Sequence, residues 1–264
     1  MSNQINNLGG IIHSSYPVEN RAGEQFLSEH SLGYIISGTL VLIDGDKTLS
    51  FPEGSMVLFR RNNLAKFIKV PAKNGEFIAT TVILDQALLT SFSKERRLEG
   101  GHYARQAVVL SIGPDSLLKH YFDSLLPYFS EPVGTELVQY KKQEAILLLL
   151  RKDPALKNVL FDFGEPGKID LEAFMNRNFK YNVPMEKLAY LTGRSLATFK
   201  RDFDKTFNTS PSRWIQERRL KEAHYLISKK KIKPSDVYLE VGFESLSHFS
   251  YSFKQFFGTN PSAV

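Results

Sequence analysis

The chain has 264 residues, enough for one large domain or two ordinary ones, and 42% of them are hydrophobic, which weighs against wholesale disorder. There is no cysteine, so disulfides and cysteine-ligated metals are excluded and a reducing compartment is favoured. The net charge of +6 is uneven: from Lys168 onward there are 17 basic and 10 acidic residues, a net of +7, and the remainder carries −1. A polyanion partner leaves that footprint, although a lysine-rich solvated surface would look much the same.

Met1 to Gly10 is polar and lacks the basic and apolar regions of a signal peptide. The longest apolar run, Ala145 to Leu150, has six residues, whereas a membrane-spanning helix needs about 20. A soluble cytoplasmic protein with no membrane partner is expected. From Ile11 to Leu84 the chain reads as short strands broken by turns. Gly33 to Ile43 is β-branched and apolar, and Asp44, Gly45 and Asp46 signal a hairpin. Lys47 to Phe51, Ser55 to Arg60, Ala65 to Val70 and Phe77 to Leu84 follow, separated at Pro52 to Gly54 and at Pro71 to Gly75. This spacing predicts a β-sandwich or barrel.

From Asp85 onward the texture is helical. Helices are predicted at Asp85 to Glu95, Asp115 to Phe129 and Thr135 to Lys152. The second has more apolar residues than one face needs. Its Tyr121, Phe122, Tyr128 and Phe129 would pack on the strands or on a second subunit, and homodimerisation stays open. The apolar stretch at Ala145 to Leu150 must be buried. Phe163 to Lys168 holds two glycines and a proline, and the interdomain linker is placed there. Everything after it reads as helices.

The strongest signal is an internal repeat. LTGRSLATFKRDFDKTFNTSPS (residues 191–212) and EVGFESLSHFSYSFKQFFGTNPS (residues 240–262) share one plan. Ser195, Leu196, Phe199, Phe203, Phe207 and Pro211 recur 50 residues later as Ser245, Leu246, Phe249, Phe253, Phe257 and Pro261. In each copy a short helix, Met185 to Leu191 or Ser235 to Val241, stops at a glycine able to adopt the left-handed conformation. A serine then caps a second helix. Short helix, tight turn and second helix make a helix-turn-helix, whose second helix normally enters the major groove. The phenylalanines form one stripe. Opposite it lie Ala197, Thr198, Arg201 and Lys205 in the first copy and Ser247, His248, Tyr251 and Gln255 in the second, types suited to base and phosphate contacts. Ser212 to Lys231 reads as a connecting helix with apolar Ile215, Leu220, Ala223, Leu226 and Ile227, a basic pair Arg218 and Arg219, and a terminal lysine run. A helix of about 20 residues spans about 30 Å, close to the roughly 34 Å between successive major grooves.

At these residues the sequence resembles the AraC/XylS family of bacterial transcription activators. The likeness covers about Lys168 to Ser262 and is densest from Val241 to Ser262, where a Gly-Phe turn, a Phe-Ser pair, Phe-Lys, Phe-Gly and Pro-Ser match the family signature. It implies a seven-helix domain with both units on one face of duplex DNA. Carried over residue by residue, the first recognition helix would present Leu196, Ala197, Lys200 and Arg201, and the second Leu246, Ser247, Ser250 and Tyr251. Tyr251 stands where the family often has arginine, so the second unit is expected to anchor more than it reads. The family's last helix is expected to be short or absent. Gly33 to Gly38 and Phe51 to Phe59 are similar to the core of the family's cupin-like regulatory barrel, in the branch that includes type III secretion regulators.

Cupin enzymes hold a metal with clustered histidines and glutamates, but no His-x-His pair occurs, and Leu64 and Ala65 stand where a ligating histidine would be expected. His13, His30, His102 and His120 read as surface or hydrogen-bonded core residues. No phosphate loop, nucleophile elbow or zinc motif is present. Arg60 and Arg61 fit either a salt bridge at the barrel mouth or an anionic effector site. The reading is an α+β regulator that is not an enzyme and has no cofactor. It comprises a cupin-like regulatory and dimerisation domain (residues 1–162, barrel 11–84, helices 85–162), a linker (163–168) and a DNA-binding domain (169–264). Its partners are duplex DNA, RNA polymerase and an effector, small molecule or protein, not identified by the sequence. The competing class is a cupin-type enzyme or small-molecule binding protein with an incidental helical tail.

Overall fold

The computed structural model describes residues 2–21, 26–45, 47–101 and 107–264. Asp46 of the expected hairpin turn and His102 lie outside the described residues. The chain divides into two compact units, one ending at Gly164 and the other Glu165–Val264.

The first unit is β-rich. Its strands are β1 (Gln4–Leu8), β2 (Ile11–Tyr16), β3 (Phe26–Leu27), β4 (His30–Ser37), β5 (Thr39–Asp44), β6 (Lys47–Pro52), β7 (Met56–Phe59), β8 (Asn63–Leu64), β9 (Lys66–Val70), β10 (Phe77–Leu84) and β11 (Val109–Ile112). A six-stranded antiparallel sheet has the order β1-β2-β10-β4-β7-β11, and a three-stranded sheet the order β6-β5-β9. β3 pairs with β8. Among the described residues these are open sheets, and no ladder closes them into a barrel. The run Gly33 to Ile43 is two strands, because the chain turns from the large sheet to the small one at Gly38. That residue has φ +81°, and a Cβ there would lie 2.4 Å from the Val70 carbonyl oxygen. Only glycine tolerates both conditions.

The central strands of the large sheet are buried on both faces, and the period of two sorts their side chains. Ile35, Val57, Phe59, Phe77 and Ala79 face a core shared with Leu40, Leu42 and Phe51 of the small sheet. Leu32, Met56, Leu58, Val82 and Leu84 face a second core roofed by helices. Those helices are α1 (Gln86–Arg96), α2 (Ser116–Leu125), α3 (Thr135–Lys152) and α4 (Lys157–Leu160). Asp85 and Asp115 cap α1 and α2 by accepting the Leu88 and Leu118 amides. Tyr34 of β4 stacks on Phe122 of α2 at 5.2 Å, so these α2 aromatics pack within the unit.

Three expectations are corrected. Val109–Ile112 is a strand, not part of a helical stretch, because its apolar residues pair with β7 at the sheet edge. The predicted helix ending at Phe129 ends at Leu125, and a 3-10 turn containing Pro127 completes it. The stretch Ala145 to Leu150 is buried only on one stripe: Ala145, Ile146 and Leu149 are inside and Leu147 is exposed.

The second unit is helical: α5 (Leu171–Asn178), α6 (Met185–Leu191), α7 (Leu196–Phe207), α8 (Pro211–Ser228), α9 (Pro234–Glu240) and α10 (Leu246–Phe257), then a single 3-10 turn at Pro261–Ala263. No helix among the described residues is long and apolar enough to cross a membrane.

Candidate nucleic-acid interface

In both copies of the repeat a short helix, a tight turn and a second helix follow one another, α6 to α7 and α9 to α10. In the first, α6 ends before Gly193, whose φ is +65° and whose Cβ would fall 2.4 Å from the carbonyl carbon of Gly167. In the second, α9 ends before Gly242, with φ +100° and a Cβ that would lie 2.5 Å from the Lys180 carbonyl oxygen. Ser195 accepts the Thr198 amide at 3.3 Å and Ser245 the His248 amide at 3.2 Å, so α7 and α10 both start on a serine cap.

The phenylalanine stripes face inward. Phe199 and Phe203 are fully buried, and Phe207 packs on Trp214 at 4.7 Å. Phe249 and Phe253 are fully buried, and Phe257 packs on His224 at 4.7 Å. Trp214 and His224 lie toward opposite ends of α8, so one connecting helix serves both units. At about 1.5 Å per residue, its 18 residues span about 27 Å. The terminal lysine run expected within the helix lies beyond it: Lys229 is the C-cap and Lys231 turns left-handed at φ +55°. Cations there suit the negative end of the helix.

Ala197, Lys200 and Arg201 on α7 are exposed, and Leu196 is half-buried. Arg201 reaches Asp202 only at 3.8 Å and stays two-thirds exposed. On α10, Leu246, Ser247 and Tyr251 are exposed and Ser250 is half-buried. Lys200 also lines a shallow groove with Met185, Asp204, Ser210, Pro211 and Ser212. Ala197 and Arg201 on α7, and Ser247 and Tyr251 on α10, therefore lie opposite a buried aromatic stripe, with Leu196, Lys200, Leu246 and Ser250 on its side of the helix.

Two arginines counted as surface charge are structural. Arg194 donates from Nε to Asp202 and from Nη1 to the Ile169 and Thr192 carbonyls. The Arg194 hydrogen bond, with Lys168 adding to it, holds the Asp202 carboxyl below the usual carboxylate range. Arg219 donates to the carbonyls of Phe179, Tyr181 and Gly242 at 2.7–2.8 Å. Burial pulls its pKa down to about 10, so it remains a cation at neutral pH. The sequence carried a signal for this: Arg219 lies four residues after Ile215 and four before Ala223, on the inward stripe of α8. Its neighbour Arg218 lies over the Phe179 ring at 5.0 Å.

In the N-terminal unit, Arg61 differs from both readings of the arginine pair. It donates to Gln86 Oε1 at 2.6 Å and to the carbonyls of Asp162 and Gly164 at 3.2 and 3.1 Å, tying the end of the unit to its sheet. Arg60 donates to the Ala107 carbonyl at 3.3 Å. His30 is buried, with Nδ1 accepting the Arg61 amide at 3.4 Å. Burial, reinforced by the two arginines, lowers its pKa to about 4.

Comparison with known proteins bears on both units. Residues 188–264 match the helix-turn-helix domain family, and residues 30–159 match the ExsA N-terminal regulatory domain. The chain belongs to the AraC/XylS family. The virulence regulon transcriptional activator VirF of Yersinia enterocolitica is 25% identical over 247 residues, covering 89% of this chain and 88% of its own. The regulator ExsA of Pseudomonas aeruginosa is 26% identical over 244 residues, covering 89% and 85%. Among solved structures, an apo ToxT variant of Vibrio cholerae aligns over 98% of this chain and 97% of its own, at 14% identity and a TM-score of 0.48. This AraC/XylS protein is thus a DNA-binding transcription regulator with an N-terminal regulatory domain.

Proposed function

We propose that the protein is a cytoplasmic transcription activator that lays α7 and α10 into successive major grooves on one face of a promoter and recruits RNA polymerase. The observation that carries this reading is the pair of exposed helix faces set opposite matched phenylalanine stripes on a shared α8. Arg201 and Lys200, with Leu196 and Ala197, read bases from the first unit. Leu246, Ser247, Ser250 and Tyr251 of the second anchor the complex with less sequence information, because hydroxyls in a helix turn make fewer bidentate base contacts than guanidinium groups.

Residues 1–162 form the regulatory and dimerisation domain, residues 163–168 the linker and residues 169–264 the DNA-binding domain. The two open β-sheets of the N-terminal unit take the place of the expected cupin-like barrel and receive a small-molecule or protein signal. Exposed Leu117, Leu137, Tyr140 and Leu147 on α2 and α3 support a homodimer contact. The role is binding, not catalysis. Selection of bound duplexes from random DNA tests the reading: a bipartite motif with the stronger half under α7 is expected, and recovery of unrelated sequences would refute it.

A further inference from the structure

The two recognition helices can address two grooves together only if their separation is fixed. α8 shares a buried core with the second unit through Leu220, Ala223, Leu226 and Ile227, and meets the first through Trp214 against Phe203 and Phe207, so the first unit needs a further tie to keep a fixed orientation to the second. The segment Phe179 to Asn182, between α5 and α6, supplies a second connection. It leads directly into the first unit, and every one of its four residues meets the second half of the domain. Phe179 and Tyr181 offer their carbonyls to Arg219 at 2.8 Å each. Lys180 donates to Glu222 Oε1 at 2.8 Å, and Asn182 donates to Glu244 Oε1, in the turn of the second unit, at 2.6 Å.

Arg219 is the centre of this seam. Its Nη1 donates to the Gly242 carbonyl at 2.7 Å, so one planar guanidinium holds the lead into the first unit and the turn of the second. A guanidinium projects its donors in a rigid fork, which fixes direction as well as distance, and a lysine ammonium cannot span three such acceptors in one plane. The turn is shaped around it. A Cβ on Gly242 would lie 2.9 Å from Arg219 Cζ and 2.5 Å from the Lys180 carbonyl oxygen, so the glycine makes room for both.

We infer that Arg219 is a positioning residue that sets the spacing between the two DNA-reading helices, and through it the half-site spacing this regulator accepts. The inference rests on the bipartite DNA-binding reading above. Arg219 contacts no DNA itself. With the fork intact, one inserted base pair rotates and shifts one half-site away from its helix. With the fork lost, the units swivel to follow.

The experiment is a spacing scan with the full-length chain. Duplexes carry the site recovered by selection, with zero, one or two base pairs inserted or removed between the halves. For the wild-type chain, one inserted pair is expected to weaken binding by about tenfold or more, the scale of a lost base contact. Arg219→Lys and Asn182→Ala are expected to keep their affinity for an isolated first half-site while the insertion penalty shrinks to a few-fold. Arg219→Met would show the same more strongly. If it does not fold by circular dichroism, the other two variants decide the matter. Variants that stay as sharply tuned as wild type, or that lose affinity equally at every spacing, would overturn the assignment. A wild-type chain that binds none of the duplexes would instead overturn the DNA-binding reading itself.

Discussion

Arg194 and Asp202 meet at 3.1 Å, joining the turn of the first repeat unit, α6 and α7, to the middle of α7. The second unit has no such ion pair among its described residues. There Phe243 occupies the turn, buried and 5.3 Å from Phe249, and Ser252 stands at the position of Asp202, 3.3 Å from Gln216. One unit is held by charge and the other by an aromatic contact.

That difference makes the first unit sensitive to acid. The folded Asp202 pKa lies below the usual 3.8, so its contribution is complete above that value and is lost as pH falls through the folded pKa. Asp202→Asn is expected to lower the melting temperature at pH 7, with the gap from wild type closing below about pH 4. Thermal melts of both chains across that range check it, and a gap independent of pH would contradict it.

His30 gives the N-terminal unit, which ends at Gly164, an acid limit of its own. Its folded pKa of about 4 lies below the unfolded value of 6.5, so the unfolded chain binds the proton more readily. Stability is fully present above pH 6.5 and declines toward pH 4, by an amount on the order of 3 kcal/mol. Replacing His30 with glutamine is expected to flatten this decline in denaturant titrations that follow the N-terminal unit.

The left-handed glycines divide by space. Gly258 caps α10 at φ +76° with nothing within 4 Å of a built Cβ, so Gly258→Ala carries only the conformational cost of about 1 kcal/mol. Gly193→Ala adds a backbone collision at 2.4 Å and is expected to cost several times more. Equilibrium unfolding of the two variants measures the difference.

Much of this was legible in the sequence, because the repeat encodes it directly. The duplicated serine caps, turn glycines and phenylalanine spacing placed α6, α7, α9 and α10 to within a residue or so. Local chemistry starts and stops those helices, and local chemistry is what a sequence displays. What escaped depends on distant partners. β11 is a strand because β7 is beside it, fifty residues away. Arg219 was read as half of a basic pair, although its three acceptors lie 23 to 40 residues off along the chain. Arg61 finds carbonyls about 100 residues away. A positive charge announces a partner, and its spacing does not say whether that partner is DNA or the protein's own backbone.

On the reading surface, Arg201→Ala is expected to reduce discrimination between the selected site and a variant at its contacted base by about 1–3 kcal/mol. Tyr251→Ala is expected to weaken binding to both sites alike. Competition binding against the two duplexes separates the outcomes, and an unchanged preference in Arg201→Ala would remove that residue from base recognition.

The most direct measurement of the central claim is the salt dependence of binding to duplex DNA by the full-length chain. Each phosphate neutralised adds about −0.9 to the slope of log K against log salt. Two recognition helices and the basic surface around them predict a steep slope, on the order of −5 or beyond, on the selected site. Lys205→Ala, which removes an exposed cation from the outward face of α7 without touching the residues assigned to bases, is expected to make that slope shallower by about one unit. A flat slope, or no binding to duplex DNA at low salt, would contradict the account.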